Sequence, residues 1–132
     1  MKKVSRLFTV LLLLCVVASV SSAEMVSPMY ITIGDINATL TVQSGQANCG
    51  GTVSLNSISY GADITVTLQK KNGNNWAYVS SWSDSGSVLV SANGSVSVST
   101  GYTYRVRASV AVKDSSGNVV ERGSAYSAQK TY

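Results

Sequence analysis

The sequence predicts an all-β chain: a single antiparallel β-sandwich of about seven strands after a cleaved N-terminal signal peptide. Three observations carry that prediction. First, Gly101 to Val112 alternates cleanly: Tyr102, Tyr104, Val106, Ala108, Val110 and Val112 share one parity, and Thr103, Arg105, Arg107, Ser109, Ala111 and Lys113 share the other. In a strand the two parities point to opposite faces, so one face is apolar and the other carries three cations. Second, helix signals are nearly absent after residue 23, where Ser, Thr, Gly, Asn and Val dominate. Third, short alternating runs are separated by turn residues, two of them Asn-Gly pairs at Asn72-Gly73 and Asn93-Gly94. Asn and Gly tolerate the positive φ that a tight hairpin needs.

The N-terminus reads as a targeting segment. Lys2, Lys3 and Arg6 precede an apolar run from Leu7 to Val20, and Ser21-Ser22-Ala23 offers small residues for cleavage after Ala23. The run is shorter than the roughly 20 residues of a spanning helix, so a signal peptide is expected over residues 1–23 and a secreted domain over 24–132. Cys15 follows the bulky Leu14 and lies inside the apolar run, which does not suit a lipidation box. Removing 23 of the 132 residues leaves 109, the length of one domain. Ten cations against six acids become seven against six, a net charge of +1. The basic balance belongs to the leader, so no nucleic-acid partner is expected, and no membrane span after cleavage. Cys49 is then the one remaining cysteine and histidine is absent, so no intramolecular disulfide can form. A lone Cys in a secreted chain is either buried or pairs between molecules. Cys49 shares parity with Val53 and Leu55 and reads as a small buried hydrophobe. The short, Lys-rich leader and the lack of disulfides suit a bacterial source.

The elements follow in order. Glu24 to Pro28 is an extended lead-in. Tyr30 to Ile33 predicts a short edge strand broken at Gly34-Asp35, and Ile36, Ala38, Leu40 and Val42 a half-buried strand. Ser44-Gly45-Gln46 turns into the Cys49 strand, where Gly50-Gly51 predicts a bulge or a close backbone approach. After a turn at Tyr60 to Asp63, Ile64, Val66 and Leu68 alternate up to the Asn72-Gly73 hairpin, and Trp76 to Trp82 returns. Asp84-Ser85-Gly86 predicts a turn. Val88 to Val90 and Val96 to Val98 predict two strands flanking a second hairpin at Asn93-Gly94. The Gly101 strand leads through the loop Asp114 to Asn118 into a last strand, Val119 to Tyr132, bulged near Gly123.

The region from Thr100 to Tyr132 resembles a fibronectin type III or immunoglobulin-like domain. Gly101-Tyr102-Thr103-Tyr104-Arg105-Val106 matches the strand whose Tyr contacts the preceding connection in those folds, and Ser124-Ala125-Tyr126-Ser127 is similar to the Ser-x-x-Ser near their end. The resemblance implies that Tyr104 is the corner residue. It also implies that Val106 stands where an immunoglobulin disulfide partner for Cys49 would be. The early-strand Trp of fibronectin type III domains is missing. The chain also resembles small secreted bacterial proteins of unestablished role.

Catalysis finds little support. General acid–base chemistry draws on His or on paired carboxylates, and most of the acids here sit at turns, where Asp caps local backbone. No enzyme, cofactor or metal is expected: zinc lacks His and Cys ligands, and the Asp114 to Asn118 loop reads as a turn rather than a calcium site. Two surface features remain. Trp76, Tyr78 and Trp82 share parity, and facing outward they would form a platform for sugar rings or a protein, while facing inward they would fill the core. Arg105, Arg107 and Lys113 form a basic row that suits either a solvated face or an anion. The expectation is a secreted, non-catalytic module that binds a cell-surface glycan or protein. A bacteriocin-like toxin and a self-assembling surface or matrix subunit are the rival readings.

Overall fold

The structure, a computed structural model, describes residues 30–132. The expected leader and cleavage site, Cys15 and the expected lead-in from Glu24 to Pro28 lie outside them. Eight strands and no helix are described: β1 (Ile33–Gln43), β2 (Gln46–Leu55), β3 (Gly61–Asn72), β4 (Asn75–Ser87), β5 (Leu89–Ser97), β6 (Thr103–Lys113), β7 (Val119–Tyr126) and β8 (Lys130–Thr131). They form two antiparallel sheets, β1-β2-β5 and β4-β3-β6-β7, with β8 pairing β6 beyond the end of β7.

Alternation sets the two inner faces. Ala62, Ile64, Val66 and Leu68 of β3 and Tyr104, Val106, Ala108, Val110 and Val112 of β6 are all buried, and they meet Ala47, Cys49, Val53 and Leu55 of β2 in one apolar cluster. Each Val, Leu or Ile among them contributes about 1.5–3 kcal/mol when fully buried. The sheets approach closely at Gly51, where a Cβ would lie 2.6 Å from Val66 Cγ2 and 3.1 Å from Ala108 Cβ. On the other face of β2, a Cβ at Gly50 would lie 2.7 Å from Thr39 Oγ1. The Gly50-Gly51 pair therefore serves close approach, and the ladder runs through it without a bulge.

β6 lies inside its sheet, between β3 and β7. The phenol of Tyr104 donates to Ser99 O in the preceding connection at 2.8 Å. Ser127 O–H bonds Ala128 O while its oxygen accepts from Val106 N at 2.8 Å, bridging the break between β7 and β8.

Several sequence expectations are corrected, among them the turn at Tyr60 to Asp63, since β3 already starts at Gly61. Asn93-Gly94 is not a hairpin: β5 runs straight through it, pairing Asn93 with Gly50 and Gly94 with Cys49. Gly94 is there because the indole of Trp82 occupies the space of a Cβ. Asp84-Ser85-Gly86 is not a turn, because β4 stays paired with β3 as far as Ser87, helped by Ser85 Oγ donating to Asp63 Oδ1 at 2.7 Å. The chain instead crosses between sheets at Val88, whose φ of 68° is unusual for a β-branched residue. Finally, Tyr30 to Ile33 is not a separate strand. β1 starts at Ile33 and is irregular at Gly34. The last strand's irregularity falls between Val112 and Lys113, opposite Val119 to Glu121, rather than at Gly123.

Candidate functional site

The outer face of the four-stranded sheet collects the features that the fold leaves unexplained. Its composition follows from register. Gln69 and Lys71 of β3 pair Tyr78 and Trp76 of β4, and Gln69 also pairs Arg105 of β6. On the far side, Arg107 pairs Tyr126 of β7. All lie on the parity opposite the buried Leu68 and Val106.

The aromatic row of the sequence is split. A bulge at Val79 shifts the β3–β4 register between Leu68 and Gln69. The extra residue reverses parity along β4. Trp76 and Tyr78 therefore face outward, whereas Trp82, opposite Val66, turns inward and packs against the core. Trp82 is thus not part of a shared outer platform. Period-two counting could not find this, because a bulge of one residue leaves no composition signal here.

Trp76 does not stand alone. The guanidinium carbon of Arg105 lies 4.1 Å from the Trp76 ring centroid and 4.2 Å from that of Tyr126. Arg105 Nε donates to Gln69 Oε1 at 2.8 Å. The result is a Trp76–Arg105–Tyr126 stack that reaches across all four main strands. Cation–π contacts at such exposed sites are worth about 0.5–1 kcal/mol each, enough to hold the rings in place without burying them. Tyr78 stands beside the stack, 68% exposed, with its hydroxyl 3.2 Å from Ser81 Oγ. Tyr126 is 51% exposed. Sequence reading missed Tyr126 and the pairing of Arg105 with the aromatics. The signal for it was the register of β6 against both neighbours, which needs the sheet order.

The basic row is also divided. Lys113 is taken by Asp63 in an ion pair at 2.6 Å. Hydrogen bonds from Lys113 and Ser85 hold the Asp63 carboxyl below its usual range. Arg105 is stacked, and Arg107 is exposed.

Elsewhere the polar groups are structural. Both Glu121 oxygens accept backbone N–H bonds from Ile31, Thr32 and Ile33 at 3.0 to 3.2 Å. Burial pushes the Glu121 carboxyl up, but these bonds together outweigh it and hold the group below its ordinary value. Asp114 Oδ1 accepts from Ser116 N and Asn118 N, capping the β6–β7 loop. Cys49 is buried and free, and burial pushes its thiol up to about 11. Val106, in the core on β6, is fully buried. Among the described residues no three of His, Cys, Asp and Glu converge as metal ligands, and no helix is long and apolar enough to cross a membrane.

No family model and no curated protein matches this sequence. Among solved structures, the chain is similar to the solution structure of CsgH from R. palustris, at 12% identity and a TM-score of 0.42, over 69% of this chain and 87% of that one. A likeness that distant says nothing of function. The site therefore rests on its own geometry: an outward array of aromatic rings, one stacked arginine and further cations on the outer face of one sheet. Such an array can stack planar or ring-shaped groups and hydrogen-bond their edges.

Proposed function

We propose that this chain is a secreted, non-catalytic binding module on an immunoglobulin/fibronectin III-like sandwich, acting at or outside the cell surface through the outer face of its four-stranded sheet. The observation that carries the reading is the Trp76–Arg105–Tyr126 stack with Tyr78 beside it. Large aromatics ordinarily fill cores. Here these rings lie on the outer face beside a guanidinium that, among the described residues, pairs with no carboxylate. Rigid aromatic surface costs little entropy to bind with, which suits a sugar ring or a protein partner. The strand order β1-β2-β5 facing β4-β3-β6-β7 and the Tyr104 bond to Ser99 support the sandwich family.

The test is retention of purified protein on cell-wall, glycan and surface-protein fractions of the source cells. Trp76→Ala and Tyr78→Ala are expected to lose retention while Tm stays within a few degrees of the parent. Retention unchanged in both variants would remove this face as the site.

One observation favours a second reading, a self-assembling surface subunit. Ile31, Ile58 and Leu89 are 84%, 85% and 65% exposed near the end of the molecule where β2 stops and β5 begins. Exposed apolar residues of this kind mark association surfaces when they are contiguous. Concentration-dependent oligomers lost in Ile58→Ser would support it, and a strict monomer at high concentration would count against it.

A further inference from the structure

Beside the aromatic stack, on the same face, lies an open cavity of about 420 Å³ lined by Tyr30, Arg107, Ser109, Arg122, Gly123 and Ser124. Register explains its contents. Ser109 pairs Ser124, and Ala111 pairs Arg122, so two arginines and two hydroxyls of β6 and β7 share one outward patch. A Cβ at Gly123 would lie 2.9 Å from Tyr30 Cζ, so the glycine lets Tyr30 pack against the β7 edge and wall the cavity.

The charges around this cavity are one-sided. Among the described residues the single ion pair is Lys113–Asp63, so neither Arg107 nor Arg122 has a carboxylate partner. The nearby acids are committed. Asp63 holds Lys113 and Ser85, Glu121 holds the amides of Ile31 to Ile33, and Asp114 caps its loop. Two unpaired guanidinium groups with two hydroxyl donors between strands suit a compact oxyanion, which arginine grips with paired hydrogen bonds.

The cavity adjoins the stack, since Arg107 pairs Tyr126 and lies two residues beyond Arg105. Two residues along a strand span about 6.6 Å, the scale of one pyranose unit. We infer that Arg107, Arg122, Ser109 and Ser124 form an anion subsite, and that the ligand of this face is an acidic glycan. Its ring stacks on Trp76, Tyr78 or Tyr126, and its carboxylate, sulfate or phosphate enters the cavity. The inference rests on the proposed binding role of this face and names its ligand class. A nucleic acid fits less well, because seven cations against six acids after residue 23 leave no broad basic footprint.

The experiment measures binding of purified protein to polygalacturonate, to its methyl-esterified form, to heparin, to a phosphomannan, to polyglutamate and to single-stranded DNA. Binding is expected to at least one of the three acidic glycans, weakening as salt rises. Arg107→Gln and Arg122→Gln are each expected to weaken it about tenfold, and Trp76→Ala to weaken it also. The best polymer identifies the anion as carboxylate, sulfate or phosphate. The inference is overturned if all three acidic glycans fail, if the esterified polymer binds as well as polygalacturonate when that is the ligand, or if polyglutamate or DNA binds as tightly. Loss in Trp76→Ala with both arginine variants unchanged overturns the anion subsite and leaves the aromatic face standing. No change in any of the three variants overturns both.

Discussion

Replacing Gly94 with Ala places a methyl group where the indole of Trp82 now lies. Backbone cannot give way easily, because Gly94 is held in the β2–β5 ladder opposite Cys49. The ring must leave. Trp82 is partly buried against the core, so evicting it forfeits about half of the ~5 kcal/mol that deleting this largest side chain costs when it is fully buried, near 2.5 kcal/mol. Alanine in a strand interior regains about 0.5 kcal/mol over glycine. The expected loss is about 2 kcal/mol, a fall in Tm of roughly 8–16 °C for a domain of this size. In a Trp82→Ala background the obstruction is gone, and the same change should be neutral or slightly stabilising. Urea unfolding of the parent, both single variants and the double variant forms a complete cycle, with a coupling near 2.5 kcal/mol expected. Costs that add to within about 0.5 kcal/mol would refute the placement of Trp82 and the parity reversal on β4 that produces it.

Three further outcomes follow from particular contacts. Tyr104→Phe keeps the buried ring but leaves Ser99 O without its donor, and should cost about 1–2 kcal/mol by chemical denaturation; no change would mean that water satisfies that carbonyl equally well. Glu121→Gln should cost about 1 kcal/mol and flatten the acid limb of the stability–pH curve. The folded Glu121 carboxyl sits below its ordinary value of 4.5, so its contribution is complete above that value and is lost as pH falls through the lowered one; an unchanged acid limb in the variant would contradict this. Cys49 should resist a thiol reagent in native protein and react fully in denaturant. Labelling of the native protein at the rate of a free thiol would show the core open at that point.

Much of the scaffold was legible because alternation is a local property. Gly101 to Val112 announced β6, and Tyr104, Val106, Ala108, Val110 and Val112 are its buried residues. The Asn72-Gly73 turn was legible too, and Gly73 takes the positive φ of 63° that such a turn requires. The errors came where one residue served a distant one. Gly94 looks like half of a hairpin, but its role is set by Trp82, a residue of the other sheet. Asp84-Ser85-Gly86 has turn composition, yet Asp63 and the β3 ladder keep it extended. The Trp76, Tyr78, Trp82 row failed for a related reason, since the bulge at Val79 is a property of the β3–β4 pairing and not of either strand alone. The candidate face was half legible. Trp76, Tyr78 and the basic row could be named, but Tyr126 and Arg122 join them only through the register of β7 against β6.

The outer face of the four-stranded sheet is proposed as the binding surface. Amide chemical-shift mapping of the protein titrated with the glycan fraction that retains it tests this most directly. The largest shifts are expected on Gln69, Trp76, Tyr78, Arg105, Arg107, Arg122 and Tyr126. Shifts concentrated instead on Thr39, Asn48 and Asn93 of the three-stranded sheet, or on Ile31, Ile58 and Leu89 at the apolar end, would contradict it.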